Sequence, residues 1–241
     1  MDALTIAGIA MQNDMQRMDS ISQNLANVMT PGYKRSVPVS RAFASLMGAD
    51  ATRNGAPAFT QATGTTVLDT SAGTLRPTSN PMDIAIEGNG YFEVATEQGT
   101  AYSRQGTLNV DPRGRLCNGD GRALVGLGGE IVLAPGPFSV ESDGKVRQNG
   151  QMAGQLKVVQ FNNPQALLPM GNGLLAQGEA TVADHNVLAR VRTGFLENSN
   201  VSSPQEMIRL TETLRHFETM IKVAQGYEEV FQKTVSKLGE F

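Results

Sequence analysis

The sequence predicts an α+β protein: a mainly-β central domain flanked by N- and C-terminal α-helices that pair as a coiled-coil-like hairpin. Three observations carry the prediction. Before Pro31 there is no proline and one glycine, Gly8, whereas from Pro31 to Ser203 both residues are dense, and such punctuation marks turns between short elements. Apolar residues recur at heptad spacing at both ends of the chain but fall in short extended runs in its middle. The 241 residues include 26 glycines, no tryptophan and only 5% aromatic side chains, a composition of turn-rich β structure. The chain therefore divides into an N-terminal helix (1–30), an extended connector (31–72), a central β domain (73–200) and a C-terminal helix (201–241).

In the first element Leu4, Met11, Met18 and Leu25 lie seven apart, and Ala7, Ile21 and Val28 follow three residues after the first, third and fourth of them. This is a heptad seam, interrupted by Asp14. The helix must stop before Pro31, which has no amide hydrogen to continue the ladder, and Gly32 completes a breaker pair. Five of the 11 methionines (Met1, Met11, Met15, Met18, Met29) fall here; their flexible thioethers suit a surface touching several nonidentical neighbours, and equally suit ordinary packing on one helix.

The last element begins after Ser202, Ser203 and Pro204, a cap and a first-turn proline, with Glu206 placed to close a capping box. Met207, Leu214, Ile221 and Val235 share one heptad position and Leu210, Phe217, Ala224, Phe231 and Leu238 the other, with Glu228 the one break. Alternating acidic and basic residues from Glu206 to Glu240 form the solvated face.

Between the ends, Asp83–Glu87 and Tyr91–Ala95 read as strands separated by Gly88 and Gly90, and Gln155–Phe161 and Leu188–Leu196 as further strands. Asp111-Pro112-Arg113-Gly114 has the residues of a type I turn, and Asp143-Gly144 signals a hairpin between Phe138–Val140 and Lys145–Arg147. Residues 36–65, rich in alanine, threonine and glycine without periodicity, read as a long loop.

Chemistry is sparse. With a net charge of -3 the chain lacks the basic excess that a nucleic-acid surface needs. Cys117 stands alone, so it can form neither an intramolecular disulfide nor a thiolate cluster. The first residues lack the charge and apolar run of a cleaved signal, and no stretch approaches the roughly 18 apolar residues of a membrane span. The two histidines, His185 and His216, have neither metal-ligand spacing nor a nucleophile motif beside them; His216 is expected to be a solvated helix residue and His185 a loop residue. Gly88-Asn89-Gly90 lacks the following helix that a phosphate cradle requires and reads as a bend in the sheet. No catalytic residue, cofactor or metal site is predicted.

Ser22-Gln23-Asn24-Leu25-Ala26-Asn27-Val28-Met29-Thr30-Pro31-Gly32-Tyr33-Lys34-Arg35 resembles the N-terminal motif of the flagellar axial proteins of the basal-body rod and hook. A second block, Gly73-Thr74-Leu75, Asp83-Ile84-Ala85-Ile86, Gly90-Tyr91-Phe92, Tyr102, Arg104, Gly106 and Asp111, is similar to their β domain, and a third runs through Gly194, Leu196-Glu197, Ser199-Asn200-Val201, Met207, Arg215, Phe217-Glu218 and Lys222. The opening Met1-Asp2 and the set Arg215, Phe217, Glu218 and Lys222 look more like the proximal-rod member than the distal-rod or hook members.

The resemblance implies a structural protein, not an enzyme. It implies export without a cleaved signal through the flagellar type III apparatus, and polymerisation in the periplasmic space with copies of itself and other rod proteins, without membrane insertion. The assembly interface would be the two heptad seams, from Leu4 to Val28 and from Met207 to Leu238. Another axial paralogue is the nearest alternative; a secreted β-domain binding module dimerised by its helices is the more remote one.

Overall fold

The computed structural model describes residues 3–39, 65–184 and 190–238. It is α+β, with a helix at each end and a mostly β region between them. By internal contacts the chain forms two units, one of residues 1–25, 37–66 and 203–241, the other of residues 26–36 and 67–202.

In the first unit α1 spans Ala3–Ala26 and α2 spans Ser203–Leu238. α1 ends before Pro31, and the backbone turns through amide bonds from Thr30 to the carbonyl of Asn27 (3.1 Å) and from Tyr33 to that of Thr30 (3.3 Å). Thr30 also donates its hydroxyl to Asn27 Oδ1 at 3.1 Å, so the motif residues close their own turn. α2 starts at the expected serine-proline pair and runs 36 residues without interruption.

The second unit is built around a six-stranded antiparallel sheet in the order Leu168–Gly171, Leu174–Ala176, Gly99–Ser103, Gly90–Thr96, Val158–Phe161, Val182–Asp184. Its central strands are buried on both faces. Tyr91 and Val159 enter one core with Leu68, Tyr102, Phe161 and Leu167, while Phe92 and Val158 enter another with Ile84, Leu108, Leu116, Leu124 and Val146. Successive side chains of a strand point to opposite faces, so one sheet serves two cores.

The turn residues do what their chemistry predicts. Asp111–Gly114 joins the paired strands Leu108–Val110 and Leu116–Asn118, and Asp143-Gly144 joins Phe138–Val140 to Lys145–Gln148. The expected run Gln155–Phe161 divides, with Gln155 ending the strand Gln151–Gln155 and a new strand covering Val158–Phe161. The expected run Leu188–Leu196 is described from Arg190 and breaks at Gly194 (φ +76°), its halves pairing with Ile84–Glu87 and Leu75–Pro77. One expectation is corrected: the ends of the presumed loop 36–65 are strands, Ser36–Val39 and Thr65–Leu68, paired with each other. Val37, Val39, Thr65, Thr66 and Val67 are β-branched and favour extended backbone, but four residues are too few to show a period. The interior of that stretch, 40–64, and His185 lie outside the described residues.

Candidate assembly interface

In the second unit the segment after α1 is held by a buried ion cluster. Lys34 Nζ lies 2.6 Å from Glu197 Oε1, and Arg104 Nη1 lies 2.8 Å from Glu197 Oε2. Gly73 donates its amide to Glu197 Oε1 (2.8 Å), Lys34 also reaches the carbonyl of Ser71 (2.7 Å), and Arg104 donates its second amino group to the carbonyl of Gly88 and lies over the Tyr91 ring. All three charged side chains are almost wholly buried, a situation tolerable only when each has partners. Burial raises the Glu197 carboxyl, but Arg104 and Lys34 outweigh it and hold the group below its ordinary value; burial pushes the Lys34 ammonium down, with Glu197 opposing.

Backbone bonds lock the same place. The Gly32 amide donates to the carbonyl of Glu197 (2.8 Å), the Arg35 amide to Asn200 Oδ1 (2.7 Å), and Asn200 Nδ2 to the carbonyl of Asp69 (2.9 Å). Gly32 has φ +70°, and a Cβ there would stand 2.4 Å from the Arg104 carbonyl carbon, so only glycine fits. Tyr33 is buried, whereas Met29, four residues earlier, is almost fully exposed.

In the first unit α1 and α2 meet at buried polar groups. Asp14 Oδ2 lies 2.5 Å from His216 Nδ1, and Asn24 Nδ2 donates to Glu206 Oε2 at 3.4 Å. Asp14, Asn24 and Glu206 are each at most 2% exposed. Arg209 bonds the other Glu206 oxygen at 2.8 Å. Asp14, which breaks the heptad in the sequence, is thus an interhelical contact, and His216, exposed on α2 as expected, reaches it with its ring nitrogen.

The predicted seam residues fall into two groups. Ile21 is buried, and Met11, Met18, Leu25, Val28, Leu210, Phe217, Ile221 and Ala224 are partly buried. Leu4, Met207, Leu214, Phe231 and Val235 are exposed, Phe231 at 63%, and the Leu238 side chain lies outside the described set. On α2 the covered line instead includes Glu206 and Thr213, one residue before Met207 and Leu214. Further exposed apolar side chains, Ile6, Ile208, Val223 and Val230, extend the uncovered surface of both helices. Of the motif residues, Asn24, Gly32 and Tyr33 are buried, Leu25, Asn27, Thr30 and Pro31 partly buried, and Ala26 exposed.

Sequence reasoning assigned no role to Lys34, Arg104 and Glu197 beyond their place in the resemblance. An open cleft of about 570 Å³ in the second unit is lined by Glu93, Tyr102, Lys157 and Gln177, but its two charges pair with each other at 2.7 Å. Among the described residues no three His, Cys, Asp or Glu side chains converge on a metal position, and no helix is long and apolar enough to cross a membrane.

This architecture, two apolar-faced terminal helices and a β unit closed by a buried ion cluster, has relatives. Residues 85–151 match the flagellar hook protein FlgE/F/G D1 domain, and residues 192–237 match the flagellar basal body rod FlgEFG protein C-terminal family. The chain is 32% identical to the flagellar basal-body rod protein FlgG of Bacillus subtilis, over 94% of this chain and 95% of that one. It is 30% identical to the rod protein FlgF of Mesorhizobium japonicum over 99% and 98% of the two chains, and 27% identical to FlgF of Caulobacter vibrioides over 100% and 99%. Matched over nearly its whole length by rod proteins and in two segments by family models of the same group, the chain belongs to the flagellar basal-body rod proteins, a structural and not an enzymatic family.

Proposed function

We propose that this chain is a subunit of the proximal rod, in which its terminal helices pair as a coiled-coil-like hairpin and pack laterally against identical or paralogous hairpins, with the β domain as an outer layer. The observation that carries the reading is the uncovered apolar surface of the helices: Leu4, Ile6, Met207, Ile208, Leu214, Val230, Phe231 and Val235 stand exposed on helices whose mutual contact is already made. Apolar surface of this extent marks a protein contact. A contact that joins unlike faces of successive copies does not close, and generates a helical rod. The residue ranges 1–30, 31–72, 73–200 and 201–241 are then helix, connector, β domain and helix of the subunit. The subunit would be exported uncleaved by the flagellar type III apparatus and assemble in the periplasmic space with the other rod proteins.

The proximal position is supported by Arg215, Phe217, Glu218 and Lys222, the residues that look like FlgF. Phe217→Asp or Leu25→Asp, each placing a charge in the seam, should abolish incorporation into the rod and motility while the β domain stays folded. Normal swimming by either variant would sink the assembly reading. In a strain lacking the chain, isolated basal bodies should end before the distal rod; an intact proximal rod would make the chain a distal subunit.

A further inference from the structure

We propose that the Asp14–His216 and Asn24–Glu206 contacts set the axial register of the two terminal helices, and thereby determine which part of α2 is left for a neighbouring subunit. The inference rests on the reading that the helices pair as a hairpin in the rod.

The two contacts describe a single register. From Asp14 to Asn24 is ten residues forward in α1, and from His216 to Glu206 is ten residues back in α2, as antiparallel helices with no slip require; at about 1.5 Å per residue the contacts stand about 15 Å apart. Heptad steps from Asn24 and Glu206 set Arg17 opposite Thr213 and Ala10 opposite Met220, and Thr213, Ala10 and Met220 are all at least partly covered.

The apolar residues cannot impose this register alone. A heptad seam slid by seven residues still places apolar side chains against apolar side chains, so its energy changes little, whereas a buried polar group is satisfied at one setting and stranded at others. Slid by one heptad in one direction, Asp14 would face Val223 and His216 would face Ile21. Asp14, Asn24 and Glu206 are buried deeply enough for that loss to discriminate.

The register has a geometric result. It sets Ala3, the first residue of α1, opposite residue 227, so that 228–238 project beyond the end of α1. That projection carries Val230, Phe231 and Val235, each more than half exposed. A heptad slip would lengthen or bury it, changing the surface a neighbour receives.

Disulfide trapping on the purified full-length chain tests this. Cys117 is buried and stays in place. Ala10→Cys is combined with Met220→Cys (in register), with Tyr227→Cys or with Thr213→Cys (each slid by one heptad), and bond formation under mild oxidation is timed. The in-register pair should form first in the otherwise unaltered chain. With Asp14, Asn24, Glu206 and His216 all changed to Leu, its preference over the slid pairs should fall about tenfold, the ratio that ~1.4 kcal/mol of discrimination produces.

A second comparison does not depend on the leucine variant folding. Asp14→His alone sets two imidazoles against each other and should lose the preference; adding His216→Asp should restore it. Equal preference in the single and double variants, an unchanged preference in a leucine variant that keeps its helical circular dichroism, or slid pairs forming first in the unaltered chain would each overturn the proposal. Chains that trap in register but never enter the rod would count against the function reading alone; chains that enter the rod without register preference would count against this inference alone.

Discussion

Glu197 is the residue on which the most chemistry converges. It accepts from two buried cations and a backbone amide, while its own carbonyl receives Gly32. Glu197→Gln removes the only negative charge from the Lys34–Glu197–Arg104 cluster, and breaking a buried pair in this way costs about 3–5 kcal/mol; urea denaturation of the β unit followed by tyrosine fluorescence should show that loss. The pH dependence has a definite sign. Because the folded carboxyl lies below its ordinary 4.5, the unfolded chain takes up the proton first, so Glu197's contribution is complete above that value and is lost as pH falls through the folded one. Lys34, held below its ordinary 10.5 mainly by burial, acts in the opposite range: the folded chain gives up its proton first, and stability rises as pH climbs toward 10.5. In Glu197→Gln the decline in stability as pH falls below the ordinary carboxyl value of 4.5 should flatten, as checked by the urea midpoint at each pH. None of this was legible locally, because Lys34 and Glu197 are 163 residues apart and neither sits in a spacing that names its partner.

At the scale of elements, the helices were legible because heptads and caps are local signals, and the hairpins at Asp111–Gly114 and Asp143-Gly144 because turn chemistry is. Which face of α2 meets α1 was not. α2 carries apolar residues along two adjoining lines, Met207, Leu214 and Ile221 on one and Leu210, Phe217 and Ala224 on the other, and periodicity alone ranks them equally. Contact with α1 is instead marked by Glu206, Thr213 and His216, polar residues that a hydrophobic pattern treats as breaks. The short strands Ser36–Val39 and Thr65–Leu68 escaped for want of length. A helix end without tertiary partners frays. Amide exchange in a dilute full-length chain should therefore be faster in 228–238 than in 206–224; equal protection in both would mean that the projecting turns already have a cover.

At the scale of the molecule, the division into a helical and a β unit makes a fragment experiment informative. The second unit needs residues 26–36 as well as 67–202, since Gly32, Lys34 and Arg35 bond within it. A fragment of residues 26–202 should unfold in one cooperative urea transition, whereas a fragment of residues 37–202, which lacks Lys34 and leaves Glu197 with one fewer cation, should unfold at clearly lower urea. Equal midpoints would remove the ion cluster from the account of how the β unit is closed.

The bonds from Gly32 to Glu197, from Asn200 to Tyr33 and from Arg35 to Asn200 bring the first and last segments of that β unit side by side. A domain whose two ends are neighbours is a guest in its host chain: it can be enlarged, trimmed or exchanged while the flanking segments keep their spacing. One helical framework can thus carry different inserts between the same two anchoring segments.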